Sequence, residues 1–167
     1  MGEAAFVPGL EGVVAAETRL SEVDGRAGEL TIAGFPVEEL APRACFEETV
    51  YLLWNGRLPD AEELAGFREA LASRRALPGG VVRLLRSAAA AGVPAMDALR
   101  AAAGALGLEG PEGADAESIV TRFPTIVAAY RRLADGEEPV EPDPELGHAA
   151  NYLYMLWGER PGEGAVR

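Results

Sequence analysis

Apolar positions alternate near the start of the chain and then recur at helical spacing for the rest of it. Thr18 to Val23 and Glu29 to Ala33 alternate moderately around Asp24, Gly25 and Gly28, which predicts one small β-hairpin. Phe46, Val50 and Leu53 fall at i, i+4 and i+7, with Gly56 placed as a left-handed cap, so a short helix should end at Trp54 and Asn55. Asp60, followed by Glu62 and Glu63, is a helix start signal, and Leu64, Phe67 and Leu71 form the stripe that follows. A helix over 80–90 should turn Val81, Leu84 and Leu85 inward. Another, from Ala95 to Leu106, should bury Met96, Leu99, Ala103 and Leu106.

Glycines and acids over 107–113 predict a loop. The next helix starts near Asp115, presents Ile119, Phe123, Ile126, Val127 and Tyr130, and stops at Gly136; Pro124 should kink or divide it. Residues 137–144 read as an extended connector, with Asp143 and Pro144 as cap and first residue of a last helix from Glu145 to Trp157, closed by Gly158. The tail from Pro161 to Arg167 is polar and expected to fray. No repeat and no linker interrupt this series. The expectation is an all-α fold, a multi-helix orthogonal array with a small N-terminal β-hairpin, in a single domain over 1–167.

The 167 residues, 49% apolar and 25% charged, suffice for one buried core and exclude wholesale disorder. A net charge of −12 opposes a phosphate backbone, and the fifteen basic residues, all Arg, are scattered, so no nucleic-acid partner is expected. No apolar run nears the roughly 20 residues that span a bilayer, and the first ten residues lack a signal-peptide pattern. No membrane association is therefore expected, and the cytoplasm is the expected compartment. Cys45 is the single cysteine, which rules out an internal disulfide and suits a reducing environment.

The inventory for chemistry is thin. His148 is the only histidine. It could act as a base, but only Glu145 stands near it at helical spacing as an orienting acid, and a half-buried structural histidine is favoured. Cys45 at a helix start could be a low-pKa thiol, yet no histidine lies near it in sequence, and a cap or small core residue is favoured. Gly107, Gly110 and Gly113 match no phosphate-binding pattern and sit among acids, so a plain loop is expected. Glu137 to Glu145 lacks the calcium-loop order and contains three prolines, as a solvated connector would. One histidine and one cysteine are too few for a zinc site. Arg74 and Arg75, Arg83 and Arg86, and Arg131 and Arg132 read as polar helix faces or last turns. No catalytic, cofactor-binding or metal residue is assigned.

Most informative is the segment with Tyr152, Leu153, Tyr154, Met155, Leu156 and Trp157, apolar on nearly every side, as in a helix enclosed by other helices. It comes ten residues before the last, too few to cover it.

Several segments together resemble citrate synthases of the bacterial type: Gly9-Leu-Glu-Gly12 leading to Glu17 and Thr18, then Val23-Asp-Gly25 and Gly28-Glu-Leu30. Phe35-Pro-Val-Glu-Glu-Leu40, the run from Phe46 to Pro59, Pro124-Thr-Ile-Val-Ala-Ala129 and His148-Ala-Ala-Asn-Tyr-Leu-Tyr-Met155 continue it in order. Cys45 departs mildly, standing where a capping Ser is common. The resemblance implies a large and a small helical domain, a dimer, and condensation of acetyl-CoA with oxaloacetate; acetyl-CoA is then a substrate and no cofactor is implied. It also implies that two catalytic histidines, an aspartate and the groups gripping the dicarboxylate follow the H-A-A-N helix, from a motif L-H-A-[DE]-H-G that these residues do not contain. His148 is not one of those histidines. Enolising the thioester needs a carboxylate base, a donor to its oxygen and cations on both carboxylates, so the chain alone is expected not to catalyse. The match is expected to cover the first part of the large domain, without the small domain, as a small subunit or truncated form. The expected partners are a second copy or a polypeptide supplying the C-terminal portion. The alternative is a non-catalytic interaction or regulatory protein that self-associates or docks through an uncovered apolar face.

Overall fold

A computed structural model describes residues 9, 14, 16–109 and 115–166. It divides into two compact units, Met1–Leu58 and Pro59–Arg167. Only Pro59 stands between the last residue of the first, Leu58, and Asp60, the cap of the next helix, with no linker-like composition, which is why the sequence reads as continuous.

In the first unit, strands β1 (Ser21–Asp24), β2 (Glu29–Ile32) and β3 (Phe35–Pro36) form an antiparallel meander in that order. Ser21 pairs with Ile32 and Asp24 with Glu29. The Asp24 carboxylate accepts from the backbone N–H groups of Arg26 and Ala27 at 2.9 and 3.0 Å, closing the turn the sequence predicts. The third strand is not predicted: it follows a two-residue turn in which Ala33 and Gly34 both have positive φ, 46° and 89°. Helix α1 (Val37–Leu40) leads to α2 (Phe46–Asn55), which ends at Gly56 with φ 74° as expected. The face differs from the expected one, since Leu52 is fully buried while Phe46 is exposed.

The second unit begins at α3 (Ala61–Ser73), whose Asp60 cap accepts from the N–H groups of Glu62 and Glu63. Leu71 is buried, with Leu64 and Phe67 half-buried, as the stripe requires. Helices α4 (Gly79–Ala90), α5 (Ala95–Ala105) and α6 (Ala116–Ala134) enclose the main apolar core. Val81 and Leu85 of α4, Ala98 and Ala102 of α5, Leu106 after it, and Ile126, Ala129 and Tyr130 of α6 fill that core. The α5 face thus runs through two alanines, which let its neighbours approach closely, and Met96 points outward at 76% exposure, contrary to expectation.

Helix α6 continues undivided through Pro124. Its first half also departs from the expected stripe: Ser118, Thr121 and Thr125 are buried, whereas Ile119 and Phe123 are exposed. The two threonine hydroxyls tolerate burial because each finds a carbonyl, Thr121 donating to Glu117 at 2.9 Å and Thr125 to Arg75 at 2.9 Å. The last helix, α7 (His148–Trp157), packs against α6. It starts three residues later than predicted. Asp143 caps a turn, its carboxylate accepting from Glu145 at 2.9 Å, and Gly147 takes the helix cap. Gly158 closes α7 with φ 81°. No helix among the described residues is long and apolar enough to cross a membrane.

Candidate functional site

A cleft of about 730 Å3 opens in the second unit between α5, α6 and α7. Leu99, Val127, Tyr152, Leu156 and Trp157 supply its apolar walls. Arg131, Arg132, Asp135 and Glu137 stand on it, and they are paired with one another. Arg131 meets Asp135 at 2.6 Å and Arg132 meets Glu137 at 2.9 Å. Tyr130 reaches across from α6, its hydroxyl donating to the carbonyl of Val93. Such a cleft offers apolar contact and an internally neutralised rim. It does not present an acid and a base poised over a reacting atom.

His148 does not line this cleft. It is the first residue of α7 and 7% exposed. One turn on, Asn151 accepts from the N–H of Asp143 at 2.8 Å and donates to the sulfur of Met155 at 3.6 Å, tying the helix start to the segment before it. Cys45 belongs to the other unit and caps α2. Its sulfur accepts from the N–H of Glu48 at 3.5 Å, and the Glu48 carboxylate accepts from the N–H of Cys45 at 2.7 Å. That is the reciprocal cap a serine would make. Gly107 lies in a 3-10 turn, Leu106–Glu109, while Gly110 and Gly113 fall outside the described residues. Among the described residues no three His, Cys, Asp or Glu side chains gather to hold a metal.

The acidic connector is the part the sequence underrates. Arg86 grips both carboxylate oxygens of Glu138 at 2.8 and 2.6 Å, which holds that carboxyl below the usual glutamate range. The N–H of Glu145, with Arg160 adding to it, does the same for Asp143. Arg75, 1% exposed, donates from Nη1 to the carbonyls of Leu146 at 2.7 Å and Asp143 at 3.3 Å. It is therefore an interior residue, and a signal for it exists. Leu64, Phe67, Leu71 and Arg75 continue one helical stripe.

These observations set the chain beside known proteins. The family model described as citrate synthase, C-terminal domain, matches residues 9–167. The citrate synthase of Haloferax volcanii is 44% identical over 168 residues, covering 93% of this chain and 44% of that protein. A 2-methylcitrate synthase of Mycobacterium tuberculosis is 37% identical over 165 residues, covering 95% and 42%. The crystal structure of citrate synthase from Pyrobaculum aerophilum superposes with a TM-score of 0.84 at 34% identity, over 97% of this chain and 46% of that one. The chain thus spans less than half the length of these relatives, and within that span sequence and fold agree: it belongs to the citrate synthase family.

Proposed function

We propose that these 167 residues are the leading, scaffold-building part of a citrate-synthase-type enzyme, and that its acetyl-CoA and oxaloacetate chemistry needs side chains outside them. The label of the matching family model and the order of the motifs point to different ends of the relatives' length. The motif order is the finer guide, because it rests on six named segments running from Gly9 to Met155. The reading is carried by one observation: the only histidine, His148, is buried at the start of α7 and away from the cleft. Two histidines and an aspartate are what the family resemblance asks for. The missing groups can lie further along one polypeptide or on a second chain. In either case acetyl-CoA enters as a substrate and no resident cofactor is required.

The test is co-expression with a polypeptide carrying the L-H-A-[DE]-H-G region, followed by an assay of thiol release from acetyl-CoA with oxaloacetate. Activity is expected in the mixture and absent from the 167 residues alone. Turnover by the chain alone, or an inactive mixture, would sink the reading. A second reading, a non-catalytic protein that self-associates, draws on the exposed Met96, Phe123 and Trp157, the last of which lines the cleft. It predicts a stable dimer by light scattering, and a clean monomer would remove it.

A further inference from the structure

Helix α7 and the segment before it are fastened differently from the rest of their unit. The main apolar core draws its buried residues from α4, α5, α6 and Leu106, and none from α7. Helix α7 fully buries one large apolar side chain, Met155, beside the polar His148 and Asn151. What holds residues 137–146 is a set of arginines reaching out from the core helices. Arg86 of α4 clasps Glu138. Arg132 of α6 donates to the carbonyl of Glu138 at 2.7 Å and pairs with Glu137 at 2.9 Å. Arg75, just beyond α3, holds the carbonyls of Asp143 and Leu146.

Arg160 works differently. It lies after α7 and bridges back to Asp143 at 2.6 Å and Glu145 at 3.0 Å, so it binds the connector and the helix into one piece. Arg86 and Glu138 are 50% and 76% exposed. Ion pairs in such positions are weak and strongly screened, the Debye length falling to about 3 Å at 1 M salt. Buried apolar contacts do not weaken in that way.

We propose that residues 137–160 form a strap-and-helix unit that undocks from the α4–α5–α6 core before the chain as a whole unfolds, with the arginine clamps as its fastening. Local opening of this kind occurs where a segment has few buried apolar contacts and many solvent-facing polar ones. Its consequence is specific, because Tyr152, Leu156 and Trp157 are one wall of the cleft. Undocking removes that wall and bares the opposite face of α6.

Hydrogen exchange followed by mass spectrometry on the full 167-residue chain tests this. In low salt, peptides from 137–160 should be protected yet exchange faster than those from 81–90 and 98–106. Raising NaCl to 1 M, or substituting Arg86→Gln, should speed exchange across 137–160 as a block and leave the core helices unchanged. For the single exposed pair the expected gain is about two- to fivefold. Arg160→Gln should instead loosen 137–146 more than 148–157, uncoupling the two. The proposal is overturned if 137–160 exchanges in step with the core helices under every condition. It is equally overturned if salt and Arg86→Gln leave the segment unchanged, or if it is already unprotected in low salt.

Discussion

Two seams of the second unit are buried to the same depth and built from opposite materials. Where α4, α5 and α6 meet, Leu85, Ala102 and Leu106 are completely inaccessible. Where the end of α3 meets the first half of α6, Arg75, Ser118 and Thr121 are 1% exposed. Arg122 donates there to the carbonyl of Arg74 at 3.1 Å, and Arg74 pairs with Asp115 at 3.0 Å, the carboxylate that caps α6. The apolar seam is held by a force without direction, proportional to area removed from water. The polar seam is held by donors and acceptors that must be matched one to one. Equal burial therefore does not imply equal tolerance to substitution: shape matters in the first seam, and partner identity matters in the second.

The largest effect should come from the apolar seam. Leu85→Ala opens a cavity among residues that cannot all collapse into it, and should cost about 2–5 kcal/mol, read as a lower midpoint in chemical denaturation. Leu85→Met conserves volume and should cost less than about 1.5 kcal/mol. If both substitutions cost the same, the seam is not packed as its burial indicates. The polar seam should answer to the opposite logic. Arg75→Met keeps much of the volume and removes the donors, leaving the carbonyl of Leu146 without its own while that of Asp143 keeps the N–H of Leu146, at about 1–3 kcal/mol for such an orphaned group. Arg75→Lys should recover part of that, because both carbonyls accept from one nitrogen, Nη1, and an ammonium likewise carries several donors on one nitrogen. Full recovery by Met would show that Arg75 is held by its aliphatic stem alone.

The contrast also explains what the sequence discloses. Periodicity locates every helix from α2 to α7, because Leu71, Val81, Leu85 and Ile126 sit in apolar runs whose spacing is a direct trace of burial, though on α2 it misses the buried Leu52. It misses the start of α7, since Asp143 and Pro144 carry a good capping signal that is used by a turn instead. It places Ile119 and Phe123 inward because it counts apolar residues, while the burial of Thr121 depends on carbonyls of its own helix and that of Thr125 on the carbonyl of Arg75, fifty residues away. The short strand β3 has two residues and no pattern to read. At the candidate site, Tyr152, Leu156 and Trp157 are visible as an apolar segment, but the cleft they line depends on which faces of α5 and α6 turn toward them. The clamps of Arg86, Arg132 and Arg160 are hidden for a related reason. A basic residue in a sequence carries no mark of the distant acid it will meet.

The smallest effect separates the apolar seam from the connector's carboxylate clasps by pH. Glu138 is held below its ordinary range by Arg86, and Asp143 by the N–H of Glu145 with Arg160. Unfolded, these groups titrate at about 4.3 and 3.9. Because their folded values are the lower ones, their contribution is fully present above those unfolded values and is lost as pH falls through the folded ones. The Glu138 carboxylate is largely solvated, so its share is small. Thermal midpoints should therefore hold level from pH 7 to about 5 and decline toward pH 3. Arg86→Gln supplies the sharper comparison. At pH 7 it should lower the midpoint slightly by removing the clasp on Glu138. As pH falls through the lowered folded range of that carboxyl, the difference should shrink toward zero. Leu85→Ala, acting on a seam with no titrating group, should shift the midpoint by the same amount at either pH. A difference between Arg86→Gln and the parent that persists undiminished at pH 3 would mean that the clasp does not depend on charge, and its contrast with the apolar seam would lose its electrostatic half.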